Sequence, residues 1–261
     1  MIPPEVQTWL SDHQYGTVLS AQPVQGGCIN QGAVLKTQTG DSFFLKTHQT
    51  SPADMFSREV AGLDALRVDD GPKVPKTFLH GPTFLLMEDL APAPKSSRYW
   101  PSFGRKLARL HQHSQPEFGF AHDNYIGSTP QPNKWTQNGF AFFAEQRLHF
   151  QAKLARERGL ISRREVKQVE KLNSYLPDLI PQQPASLLHG DLWSGNATAD
   201  CHGGPAIIDP AAHFGWAESE LAMTTLFGAF PAVFYHSYEE VRPLPPGYRA
   251  RFPIYNLYHL L

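Results

Sequence analysis

The chain has 261 residues, of which 41% are hydrophobic, 12% aromatic and 18% charged. That length supports one large core or two lobes around a cleft, and the low charge and high aromatic content argue against intrinsic disorder. A formal net charge of −1 excludes an extended basic footprint for nucleic acid or anionic lipid.

Two cysteines, Cys28 and Cys201, are too few for a disulfide framework and form no C-x-x-C pair. The opening Met-Ile-Pro-Pro-Glu lacks the basic and apolar regions of a secretory signal. The longest apolar stretch, 221–235, is broken by Thr224, Thr225, Gly228 and Pro231, too short and interrupted for a bilayer span. The expectation is a soluble, cytoplasmic protein with no membrane partner.

In chain order, 17–21, 33–37 and 42–47 read as short strands separated by Gly26-Gly27, Gly32 and Gly40-Asp41. Ser51-Pro52 reads as a helix start, followed by Phe56, Val60, Leu63 and Leu66 at helical spacing. Two further strands are expected at 76–80 and 83–87, so the first ninety residues are strands with one helix. The Ala-Pro-Ala-Pro-Lys-Ser-Ser stretch at 91–97 is a compositional break. Beyond it, 103–113, 139–158, 163–175, 218–230 and 249–260 read as helices around a non-helical island at 186–210. The pattern predicts an α+β bilobal fold, with a small sheet-rich lobe at 1–90 and a larger helical lobe at 91–261.

The most informative segment is His189-Gly190-Asp191-Leu192-Trp193-Ser194-Gly195-Asn196. Phosphoryl transfer to a hydroxyl requires a carboxylate to receive the proton and oxygen ligands to hold magnesium on the phosphates. Asp191 and Asn196, five residues apart on one loop, supply both kinds of group. Asp209, after Ile207-Ile208, stands where a second metal-binding carboxylate belongs. A His-Gly-Asp-x4-Asn match arises by chance on the order of once in 600 chains of this length, although Asp and Asn singly are ordinary turn residues.

An independent check lies upstream. A kinase places a Lys on a central strand to pair with nucleotide phosphates and a helix Glu to hold it. Lys46 ends Phe43-Phe44-Leu45, and Glu59 borders the apolar face of the next helix. Gly26 and Gly27, in the run 26–32, form the expected phosphate-covering turn, which does not match the Walker pattern and would also suit a plain hairpin. Met87, Glu88, Asp89 and Leu90, just before the Pro-rich break, occupy the place of an adenine-binding connector. Together these residues call for ATP and Mg2+.

The chain resembles the fructosamine kinase family, a branch of the aminoglycoside phosphotransferase-like and protein-kinase-like fold. The resemblance spans nearly the whole length. It rests on Gly-Gly-Cys-Ile-Asn at 26–30, Phe-Gly-Phe at 118–120, Asp-Asn-Tyr-Ile-Gly at 123–127 and Thr-Pro-Gln-Pro-Asn at 129–133. Phe-Phe-Ala-Glu at 142–145, Asp-Leu-Trp-Ser-Gly-Asn at 191–196, Glu-Leu-Ala-Met at 220–223 and Leu-Phe-Gly at 226–228 add to it. Such a resemblance implies transfer of the ATP γ-phosphate to a sugar hydroxyl of a ketosamine, free or protein-bound, and a role in deglycation repair. Family members generally continue past the apolar run at 255–261, so a missing terminal segment is expected.

On this reading Asp191 accepts the hydroxyl proton, Asn196 and Asp209 hold magnesium, and Lys46, fixed by Glu59, orients the phosphates. Trp193 forms an apolar wall for the substrate, or is simply core. Ser194 bonds a phosphate or sugar oxygen, or is only a turn residue. His189 orients the loop through hydrogen bonds. An exposed Cys28 thiol in the glycine-rich turn would act as a redox switch, giving a monomer or a redox-dependent dimer, unless it is a quiet turn residue. The rival readings are a kinase for another hydroxylated amine, such as an aminoglycoside or choline, and a nucleotide-binding pseudokinase.

Overall fold

The structure is a computed structural model that describes residues 2–24 and 31–261. Gly26, Gly27 and Cys28, with the expectations placed on them, lie outside the described residues.

Helix α1 (Pro4–Asp12) precedes strands β1 (Val18–Val24), β2 (Gln31–Thr37) and β3 (Ser42–Thr47), then α2 (Met55–Leu66), β4 (Thr77–Gly81) and β5 (Phe84–Glu88). The strands form one antiparallel sheet in the order β1-β2-β3-β5-β4. Successive side chains of a strand point to opposite faces. Phe43 and Leu45 of β3, with Phe84 and Leu86 of β5, therefore meet Val6 and Leu10 of α1 on one face. Leu85 and Met87 of β5 pack on the other, with Phe56, Leu63 and Leu66 of α2.

Helix α1 lies outside the elements expected from sequence, because it is short and a single apolar pair one turn apart, Val6 and Leu10, is too little to show helical periodicity. Helix α2 begins at Met55 rather than at Ser51-Pro52. The Ser51 hydroxyl donates to the carbonyls of His48 and Pro82 instead of capping helix amides.

The larger lobe opens with α3 (Tyr99–Leu110), β6 (Ser114–Gln115) and the hairpin β7 (Asn124–Ile126) and β8 (Thr129–Gln131). Helices α4 (Gly139–Phe143) and α5 (Phe150–Glu157) are joined by a π-helical segment, Ala144–His149, so the predicted single helix is a continuous run with a widened centre. Helix α6 (Arg163–Leu179) starts with a Ser162–Glu165 capping box and runs four residues further than the periodicity indicated. Pro177 lies in its last turn, where the lost ladder bond disturbs only the helix end.

Strands β9 (Ala185–Leu188) and β12 (His213–Gly215) pair antiparallel, and between them β10 (Ala197–Ala199) pairs with β11 (Pro205–Ile207). The helix expected over 218–230 ends early. It is α7 (Ala217–Met223), and a second helix, α8 (Ala232–Glu239), follows before α9 (Tyr248–Leu260). The Thr224 and Thr225 hydroxyls bond back to the carbonyls of Leu221 and Ala222, and Phe227 and Gly228 adopt left-handed backbone. An aromatic core joins α3, α8 and α9 through Phe103, Phe234, Tyr238 and Tyr255. Among the described residues no helix is long and apolar enough to cross a membrane.

Candidate active site

The alternation that buries Phe43 and Leu45 against α1 turns Phe44 and Lys46 to the opposite face, into a cleft of about 390 Å³. Lys46 Nζ donates to Glu59 Oε1 at 2.6 Å and to Asp209 Oδ1 at 2.9 Å. The Lys46 side chain is 5% exposed and that of Asp209 39%. Burial works against the Lys46 charge, yet the two carboxylates outweigh it and hold the ammonium more firmly protonated than in water.

Asp209 reaches this position through the β10–β11 hairpin. Ala197 pairs with Ile207, and the Ile208 amide donates to the Asn196 carbonyl at 3.2 Å, so the two hairpin ends bring Asn196 and Asp209 together. Asp209 itself has φ +58°, a left-handed conformation that costs free energy in a residue with a Cβ and that concentrates at functional sites.

On the neighbouring hairpin end, Asn196 Nδ2 donates to the Asp191 carbonyl at 2.8 Å and to Asp191 Oδ2 at 3.1 Å. Burial drives the Asp191 carboxyl up to about 7; the Asn196 donor opposes this, and the negative Asp209 and Glu220 reinforce it. With its nitrogen committed to Asp191, the Asn196 amide leaves its oxygen as the available ligand atom. Two carboxylates share the single Lys46 ammonium, so that group carries an excess negative charge beside the Asn196 oxygen. This oxygen-rich, anionic donor set fits a hard divalent cation.

The loop carrying Asp191 is held from behind. Glu220 of α7 is fully enclosed; its Oε1 accepts from the Gly190 amide at 2.6 Å and its Oε2 from the His189 amide at 3.1 Å. His111 Nε2 lies 2.9 Å from the same Oε2, and His111 Nδ1 lies 2.8 Å from the Tyr238 hydroxyl. Burial alone would raise the Glu220 carboxyl, but these donors bring it below the ordinary range.

His189 is tied within the loop, Nε2 donating to the Ile208 carbonyl at 2.8 Å and Nδ1 accepting from the Asp191 amide at 3.2 Å. Gly190 has φ +84°, and a Cβ there would stand 2.1 Å from the Ala211 carbonyl oxygen, so this turn tolerates no side chain.

Of the residues singled out in the sequence, Lys46, Glu59, Met87, Glu88, Leu90, Asp191, Trp193, Asn196 and Asp209 all line this one cleft. Phe44, Met87, Leu90 and Ile208 give part of it an apolar surface. Asp89 and Ser194 do not line it. The Asp89 carboxylate accepts from the Ala91 amide, and the Ser194 hydroxyl donates to the Phe227 carbonyl at 2.5 Å. The Glu88 carboxylate pairs with Lys73 at 2.7 Å, while its amide donates to the Lys76 carbonyl.

Sequence reasoning missed Arg58, Asn124 and Tyr125, which also line the cleft, and the role of Glu220 behind it. Tyr125 donates to Asp54 at 2.8 Å, linking the β7–β8 hairpin to the start of α2. The polar run 123–133 was a signal for the hairpin. For Glu220 there was little, since a single acidic residue early in a helix is usually solvated.

The fructosamine kinase family model matches residues 3–261. A protein of Synechocystis sp. named "Probable ketoamine kinase" is 43% identical over 243 residues, covering 91% of this chain and 81% of its own. A chloroplastic protein-ribulosamine 3-kinase of Oryza sativa subsp. indica is 36% identical over 267 residues, covering 98% and 77%. A crystal structure of a Thermobifida fusca protein named "putative fructosamine-3-kinase" superposes with a TM-score of 0.87 at 32% identity, covering 98% of this chain and 90% of that one. The sheet-and-helix architecture is thus shared along nearly the full length with solved relatives, and the chain belongs to the fructosamine kinase family.

Proposed function

We propose that the protein is an ATP-dependent kinase that phosphorylates a sugar hydroxyl of ketosamines. The observation that carries this reading is the convergence of Lys46, Glu59 and Asp209 with Asp191 and Asn196 in one cleft. The names carried by the Synechocystis and rice relatives support the substrate class.

In this reading Phe44, Met87, Leu90 and Ile208 receive the adenine. Lys46, held by Glu59, pairs with the phosphates. Val24 of β1 and Gly32 of β2 line the same cleft. Asn196 and Asp209 hold magnesium, which when bound neutralises charge building on the transferring phosphoryl group.

The substrate hydroxyl oxygen forms a bond to the γ-phosphorus as the bond from that phosphorus to the β–γ bridging oxygen breaks. The hydroxyl proton passes to Asp191, and ADP leaves with the bridging oxygen. A carboxyl with an affinity for protons near neutrality suits this task, because it is ionised enough to accept a proton and basic enough to want one. The phosphoester labilises the sugar–amine adduct, which makes deglycation repair the biological role. We place the protein in the cytoplasm, with its lobes meeting near the Pro-rich stretch at 91–97.

A screen of ATP consumption against ribulosamines, fructosamines and aminoglycosides tests the proposal. ADP release with either ketosamine class, and phosphate recovered on the sugar, is expected. Turnover confined to aminoglycosides overturns it.

A further inference from the structure

Phe227 is an anomaly in this fold. It is a large apolar side chain left 58% exposed, on backbone with φ +48°, where bulky residues are rare and strained. Packing does not account for it, since an exposed ring gains little from burial.

The segment is nevertheless fixed firmly. The Ser194 hydroxyl donates to the Phe227 carbonyl at 2.5 Å, and a Cβ on the following Gly228 (φ +94°) would stand 2.9 Å from the Ser194 oxygen. The Phe227 ring meets the Trp193 ring edge to face, with centroids 6.1 Å apart and planes at 80°. Trp193 lines the cleft beside Asp191, and Phe227 lies outside the cleft lining, so the pair continues the wall of the cleft outward into solvent.

We infer that Trp193 and Phe227 form an aromatic subsite for the amine side of the substrate. This rests on the kinase reading above. With the sugar hydroxyl at Asp191, the rest of a ketosamine must leave the cleft, and the Trp193–Phe227 wall marks one way out. Its secondary amine is protonated at neutral pH; the inner Trp193 ring attracts that cation, and the outer Phe227 ring accepts the alkyl stem beyond. The Ser194 bond holds the Phe227 backbone, and the edge-to-face contact with Trp193 orients its ring, so less freedom is lost when substrate arrives.

The test compares two ketosamines of one sugar, carried on methylamine and on hexylamine, with wild-type protein, Phe227→Asn and Phe227→Trp. Asn removes the ring yet tolerates the left-handed backbone, and thermal melting reports whether each variant folds. The expected result is that Phe227→Asn lowers kcat/KM for the hexylamine substrate about fivefold relative to the methylamine one, the loss lying in KM, and that Phe227→Trp restores the preference. Equal losses on both substrates, or none, overturn the subsite and leave the kinase reading standing. If wild-type protein turns over neither ketosamine, the kinase reading fails and the subsite falls with it.

Discussion

Two carboxylates stand on opposite sides of one loop, and burial acts on both in the same direction. Asp191, at the front, has one side-chain donor, Asn196, and its carboxyl rises to about 7. Glu220, at the back, receives the amides of His189 and Gly190 and the ring of His111, and its carboxyl falls below the usual range. Desolvation alone does not set the charge state of a buried acid; the number of donors aimed at its oxygens does. The satisfied carboxylate anchors the loop, and the poorly satisfied one is left with affinity for a proton.

The contrast is sharpest where Asp191 is removed. Asp191→Ala is expected to lower turnover by about a thousandfold or more while nucleotide affinity, read by calorimetry, stays close to wild type. Near-normal phosphorylation by that variant ends the assignment of the proton acceptor.

Disturbing the rear carboxylate acts first on stability. Glu220→Gln puts an amide group among donors that need an acceptor, and breaking such a buried charged network costs about 3 kcal/mol. Calorimetric melting is expected to fall by roughly 6–12 °C. A wild-type melting temperature would show that the loop is held by something else.

A smaller effect comes from pH. The proton acceptor must be ionised, so kcat/KM falls as pH drops through about 7, tenfold for each unit below it. The acid limb belongs to the free enzyme and is read from initial rates at low substrate. A flat profile between about pH 5 and pH 7, where an ordinary carboxyl titrating at about 3.9 is already ionised, contradicts the raised proton affinity at the front of the loop. The least disturbance is expected from Ser194→Ala, whose lost bond to the Phe227 carbonyl is worth about 1 kcal/mol or less by chemical denaturation.

Spacing along the chain was informative where function demands particular atoms close together in sequence. Asp191 and Asn196 sit five residues apart on one loop, and Lys46 lies on a strand whose two-residue period turns it to the face away from Leu45. The hidden parts have physical reasons. The apolar run at 221–235 spans the end of one helix and the start of the next, and the back-bonded Thr224 and Thr225 with the left-handed Phe227 and Gly228 lie between them. Ser51-Pro52 satisfies the rule for a helix start, yet its hydroxyl finds nearby carbonyls first.

What the amino-acid order determined by itself was the inventory: a sheet-rich first third, a helical remainder, and a small set of polar residues with phosphoryl-transfer chemistry. Local periodicity and turn chemistry are written in neighbouring residues, so they survive without the fold. Tertiary structure alone decided that Glu220 faces two loop amides, that Asp209 shares Lys46 with Glu59, and that Phe227 stands exposed beside Trp193. Those contacts join positions from 13 to 163 residues apart, and the charge state and exposure of each group depend on neighbours that only chain closure supplies.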